Sequence, residues 1–204
     1  NILVIPVEFS DFQFTSTTLS KIDILFNGTS AETNYWESVS SFYEKSSYGH
    51  LDMTFTIGDV YETGKTVSGF VSTYGSFFTT TLVRSVVNDY KAMNGSSSTQ
   101  QFDSDSDGFI DAVWMVYSCP NYSNSTEIAA ISENFWAYVT WDANQAYYGN
   151  GSATSPIANV YGWASYDFMY EGGGVNKIDA HTYIHETGHL LGLDDYYNYD
   201  DDST

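Results

Sequence analysis

His185-Glu186-Thr187-Gly188-His189-Leu190-Leu191-Gly192-Leu193-Asp194-Asp195 reads HExxHxxGxxD. On a helix, residues i and i+4 lie about one turn apart on one face, the separation at which two imidazoles can grip the same ion. His185 and His189 have that spacing. Glu186 is one step further round, placed as a general base beside a Lewis acid and not as a ligand. Gly192 can adopt positive φ and end the helix, so the chain can turn back beneath the ion and bring an acid to the third position. Asp195, six residues after His189, is the candidate for that position, with Asp194 its neighbour in register. Three protein ligands leave a fourth coordination position open, which suits a catalytic zinc better than a closed structural one. His181 is one turn before His185 and gives a rival pair, but only the later pair has a glutamate in the base position. His50 follows Gly49 and reads as a loop histidine.

Working outward, the motif predicts a helix over residues 178–191, preceded by a hinge-like turn at Gly172-Gly173-Gly174. Residues 160–170 alternate loosely and read as an edge strand, and the apolar run 112–117 reads as a buried one. Leu82, Val83, Val86, Val87 and Tyr90 recur at helical spacing, so residues 78–93 form a helix that Asn94-Gly95 closes, followed by a loop over 96–99. Residues 51–57 alternate as a strand. Residues 34–45 read as a helix capped by Asn34 that backs a sheet, and a shorter helix ends near Asn27-Gly28. Residues 2–9 form a strand placed near a sheet edge, because Pro6 cannot donate to a ladder. Strands mixed with helices, without an internal repeat, give an α+β or α/β-like fold in one domain, 1–204.

A second constellation is Asp103-Ser104-Asp105-Ser106-Asp107-Gly108-Phe109-Ile110-Asp111. Asp103, Asp105, Asp107 and Asp111 fall at positions 1, 3, 5 and 9 of a calcium-loop register, with glycine at 6 and the Phe109 carbonyl at 7. Trp114 stands at position 12 in place of the bidentate glutamate, so calcium would need an oxygen from elsewhere. Calcium binding and an acidic solvated turn are both readings of this stretch.

Six basic residues against 26 acidic ones give a formal charge of −20, which repels nucleic acid and favours cations. No run of eighteen apolar residues occurs, so no membrane span is expected. Cys119, the only cysteine, follows an apolar run and reads as a buried inert thiol. N-x-[ST] sequons occur at Asn27, Asn94, Asn121, Asn124 and Asn150; in a eukaryotic source they point to a secreted glycoprotein and in a bacterial one they mean little, while abundant Tyr, Ser, Thr and Asn also look extracellular. A signal peptide, a propeptide or further domains would lie outside these residues.

The chain resembles the immune inhibitor A family of secreted bacterial-type zinc metallopeptidases, relatives of the metzincins. The resemblance lies in HETGHLLGLDDYY, in the opening strand with Phe9-Ser10-Asp11, and in Ser38-Val39 through Phe42-Tyr43 to Ser47-Tyr48-Gly49-His50-Leu51. It also includes the loop from Asp103 to Asp111 entering a strand. The resemblance implies a metzincin-like catalytic domain: a twisted mixed sheet, a backing helix, an active-site helix, and a cleft where an extended peptide lies along an edge strand. It makes His185, His189 and Asp195 zinc ligands and Glu186 the general base, and it puts the substrate-binding edge within 160–170. Family members continue into a lower subdomain with a methionine turn. None of Met53, Met93, Met115 or Met169 follows the motif, so an excerpt of a longer chain is expected, whose activity alone is in question.

The expected function is zinc-dependent hydrolysis of peptide bonds in protein or peptide substrates, with Glu186 as base. Two other classes compete with it. A non-catalytic extracellular structural or adhesion protein would keep the fold and its metals but has no need of Glu186. A calcium-dependent binding module built on the aspartate loop would be sensitive to EGTA and hold no zinc.

Overall fold

The computed structural model describes residues 1–33, 36–143, 150–172 and 177–195. The first strand, β1 (Ile2–Glu8), is buried at every position but the last. Such a continuous apolar run suits a strand covered on both faces. It lies inside a six-stranded mixed sheet, pairing in parallel with β2 (Phe55–Ile57) and β3 (Tyr61–Glu62) on one side and with β4 (Val113–Tyr117) on the other. Next come β6 (Val160–Ser165), parallel to β4, and β5 (Tyr138–Trp141), antiparallel to β6.

Side-chain parity divides the core into two layers. Leu3, Ile5 and Val7 of β1, Val113, Met115 and Tyr117 of β4, and Tyr161 and Trp163 of β6 face α3 (Val67–Tyr74) and α4 (Phe78–Asn94). The alternate residues, among them Val4, Trp114, Val116 and Ala164, face α1 (Ser16–Asn27), α2 (Val39–Ser46) and α6 (His181–Leu190). A short helix, α5 (Thr126–Ile131), adds Ile128 to the first layer. The result is a mixed α/β fold in keeping with the α+β class. No described helix is long and apolar enough to cross a membrane.

Several expectations change. Residues 2–9 are central and not near an edge. Ile2 N–H donates to Thr54 and the Val4 carbonyl accepts from Gly58, so even-numbered residues of β1 point their backbone groups toward β2 and β3. Pro6 has the same parity and falls between Val4, the last residue paired to β2, and Val7, the first paired to β3. Its missing donor therefore faces the break between two short strands, where no ladder bond is lost. Residues 51–57 narrow to the three-residue β2. Residues 160–170 are not an edge: β6 is flanked on both sides, and residues 166–170 wind into a 3₁₀ turn. The edge is β5. Its sequence, Tyr-Val-Thr-Trp, is a run of strand-favouring types too short to show a period.

The helix expected from residue 34 begins at Val39. Ser38 caps it, accepting from Ser41 N–H at 3.2 Å while Ser41 Oγ accepts from Ser38 N–H at 2.9 Å. This reciprocal box satisfies two otherwise orphaned donors, each cap worth about 1 kcal/mol. Asn34 itself lies outside the described residues, as do Gly173 and Gly174 of the expected hinge. The loop over 96–99 is partly a 3₁₀ turn, Ser98–Phe102.

Candidate metal centre

The site helix α6 is fixed from behind before its front face does anything. Tyr183 is fully buried among Phe26 and Trp114, and its hydroxyl donates to the Ser165 carbonyl at 2.5 Å. Trp114 Nε1 donates to Thr187 Oγ1 at 3.1 Å in the core, and Tyr43 on α2 donates to the Ile184 carbonyl at 2.7 Å. Trp114 needs room to do this. A Cβ on Gly162 of β6 would come within 2.9 Å of its ring atoms, so glycine is required there by close approach. With Tyr183 and Thr187 turned inward, residues 185 and 189 face out on the opposite side.

The helix ends in a Schellman motif. Gly192 has φ +84°, Leu193 N–H donates to the Gly188 carbonyl at 3.0 Å, and Gly192 N–H donates to the His189 carbonyl at 2.9 Å. Glycine takes this conformation without the Cβ penalty of other residues. The reversal does two things. It presents the Leu193 carbonyl to His189 Nδ1 at 2.8 Å, so that nitrogen holds the proton and Nε2 keeps its lone pair. It also brings back Asp195, whose Oδ1 is 3.2 Å from His185 Nε2 and 3.2 Å from His189 Nε2. The two imidazole nitrogens are themselves 3.2 Å apart, with their rings nearly perpendicular at 86°.

Three donor atoms thus form a triangle with equal edges. A tetrahedral cation with bonds of roughly 2.0–2.1 Å needs ligand separations of roughly 3.3–3.4 Å. The triangle fits such an ion, and two imidazoles with one carboxylate match zinc chemistry. Asp195 is the acid that joins the cluster, while Asp194 is exposed on the cleft wall. His181 stands apart, its Nδ1 held by Asp179 Oδ1 at 2.8 Å and its Nε2 3.9 Å from Glu171.

Compared with known proteins, the chain matches no family model and no curated protein.

Glu186 is buried beside the triangle. Burial pushes its carboxyl up to about 7; the His189 ring opposes the shift and the Asp195 carboxylate adds to it. The cleft in front, about 1010 Å³, is walled by Trp136, Val139 and Trp141 on the β5 side and by Leu190 and Leu193 on the helix side. Trp136 and Trp141 stay 42% and 63% exposed, so this is a surface groove with aromatic walls. Trp136, Trp141 and the Leu193 carbonyl were all missed by sequence reasoning. Exposed tryptophans beside a strand-forming run were the available signal for the first two.

The aspartate loop is built differently. Asp103, Asp105 and Asp111 gather their carboxylates within 4.8 Å, whereas Asp107 does not join them. Asp103 accepts from Asp107 N–H at 3.2 Å and Gly108 N–H at 3.0 Å, and Asp111 accepts from Ser104 N–H at 3.1 Å. Asp107 instead accepts from Phe109 N–H at 2.8 Å. Cys119 is buried, and burial pushes its thiol up, so little thiolate is available. Among the sequons, Asn121 is fully buried with its amide donating to Asp167, which closes it to a glycan; Asn27, Asn94, Asn124 and Asn150 are exposed.

Proposed function

We propose that this chain carries the catalytic centre of a secreted zinc-dependent endopeptidase with a metzincin-like fold. The observation that carries the reading is the triangle of His185, His189 and Asp195, with a buried carboxyl beside it and an open strand edge in front. His185, His189 and Asp195 would hold the ion. When bound, zinc supplies Lewis acidity that polarises a carbonyl and makes water acidic near neutral pH.

The chain's own residues do the rest. Glu186 takes the proton of the attacking water as its oxygen meets the carbonyl carbon, and returns that proton to the departing amine as the C–N bond breaks. In the metal-free chain burial pushes the Glu186 carboxyl up, which makes it the group beside the triangle that takes up a proton most readily. Trp136 and Trp141 shield the groove and give a peptide an apolar surface to lie against. The substrate backbone pairs with β5, not with residues 160–170, because among the described strands β5 is the one that offers an edge at the groove.

A non-catalytic adhesion role would not maintain Glu186 in a position that disfavours its charge, so the enzyme reading is preferred over that alternative. For the aspartate loop we propose weak calcium binding through Asp103, Asp105 and Asp111 that fixes the entry to β4. The central test is Glu186→Gln. The variant should bind one equivalent of zinc like the parent and lose hydrolysis of a casein-like substrate. Undiminished turnover in that variant would reject the mechanism.

A further inference from the structure

β5 has a second pocket on its other face. This cavity, about 750 Å³, is lined by Ser76, Phe77, Thr80, Arg84, Asn134 and Tyr161 among others, and it shares Tyr138, Val139 and Trp141 with the metal-site groove. The two pockets therefore flank the same four-residue strand.

Hydrogen bonding fixes which way β5 presents itself. Asp142 N–H donates to the Asn159 carbonyl at 3.0 Å, so even-numbered residues turn their backbone groups toward β6. Val139 and Trp141 have the opposite parity and turn theirs to the outer edge. Side chains sort the same way. Tyr138 sits opposite Trp163 and Thr140 opposite Tyr161, all on the α4 face, where Tyr138 OH lies 3.0 Å from Thr79 Oγ1. Val139 and Trp141 belong to the α6 face. An extended peptide on that edge shares the pleat of its neighbour, so residues opposite each other point to the same side.

We propose that the α4-face pocket is a second specificity subsite, filled by every other side chain of a peptide bound along β5. The inference rests on the peptidase reading for its occupant. Residues of the peptide opposite Val139 and Trp141 enter the metal-site groove, and those opposite Tyr138 and Thr140 enter the α4-face pocket. The chemistry of the second pocket selects uncharged side chains that hydrogen-bond. Its walls carry the hydroxyls of Thr79, Thr80, Tyr138 and Tyr161, which already contact one another at 3.0–3.1 Å. Among the described residues of its lining, the charged ones are Arg84 and the fully buried Asp142, which pair through Nε and one terminal nitrogen of the guanidinium. Phe77, 80% exposed, stands at its rim.

The test uses zinc-loaded Glu186→Gln protein and a panel of extended peptides in which each position in turn is Gln, Glu, Lys or Leu, with binding read from tryptophan fluorescence. Selectivity should alternate with a period of two, Gln being preferred at one parity. Ser76→Trp, which fills the pocket mouth from an exposed position, and Phe77→Ala should each cut that preference by about 5- to 10-fold at that parity alone, the scale of one or two side-chain contacts. Selectivity without period two, selectivity unaffected by either substitution, or no peptide binding at all would each overturn the subsite. Hydrolysis by the parent protein is scored separately. Cleavage with no effect of Ser76→Trp removes the subsite and leaves the peptidase standing. Alternating binding without any cleavage by the parent removes the peptidase and leaves the subsite.

Discussion

Among the described residues, two groups of metal-competent side chains occur, and they are built on opposite plans. At the end of α6, the donor atoms of His185, His189 and Asp195 stand 3.2 Å apart, and the groups that orient the helix and its ligands are a backbone carbonyl four residues on from His189 and a buried tryptophan behind Thr187. In the loop 103–111 the carboxylates are spent on the loop itself, each accepting amides from neighbours two to seven residues away. The first plan brings three ligand-competent atoms toward one point, where a cation would fit. The second already satisfies much of its charge without one. Acidic residues in proximity are therefore a poor guide to a metal centre; what counts is whether donor atoms of different side chains are held so that they converge on one point.

The largest expected effect concerns Glu186. Its carboxyl at about 7 in the fold, against 4.5 ordinarily, means that the folded metal-free chain binds a proton more tightly than the unfolded one. That contribution is fully present below about 4.5 and is lost as pH rises through about 7, amounting to about 3 kcal/mol. Urea unfolding in the presence of a chelator should show Glu186→Gln gaining on the parent by about that amount between pH 4.5 and 8. Parallel curves for the two proteins would mean that the carboxyl is not held in a costly environment.

Next in size is Gly192→Ala. A side chain at φ +84° is strained, and relief of that strain moves both the Leu193 carbonyl and Asp195. Zinc affinity should drop by about 10- to 100-fold, the range seen when groups that orient metal ligands are disturbed. Competition with a chromophoric chelator measures it, and unchanged affinity would show that the turn does not set the triangle. The smallest effect belongs to the aspartate loop. With a dissociation constant of about 10⁻⁴–10⁻³ M, calcium at about 1 mM should add about 0.4–1.4 kcal/mol to stability, and Asp105→Asn should abolish the gain. A calcium effect equal to that of zinc would erase the contrast drawn between the two clusters.

The metal-centre helix, its glycine stop and the buried run of β4 were legible because each rests on short-range rules: i, i+4 spacing, positive φ at glycine, a continuous apolar stretch. The order of strands was not. Pro6 read as a mark of an edge because the rule counts donors, yet it cannot say that β2 and β3 leave a gap opposite that residue. Residues 160–170 read as an edge through loose alternation, whereas the alternation at Tyr161, Gly162 and Trp163 reflects two buried layers of different bulk. β5 escaped notice since four residues carry too little periodicity. The reversal that picks Asp195 over Asp194 depends on where a turn closes, and no spacing rule distinguishes adjacent acids.

Trp114 belongs to a strand in the middle of the sheet, and its indole N–H donates to Thr187 on α6. Amide protons at the centre of α6 should then exchange with solvent as slowly as those of β4, since the helix has no private way of opening. An ion could come and go at the surface on a fast clock while the frame that receives it relaxes only on the slow clock of global unfolding.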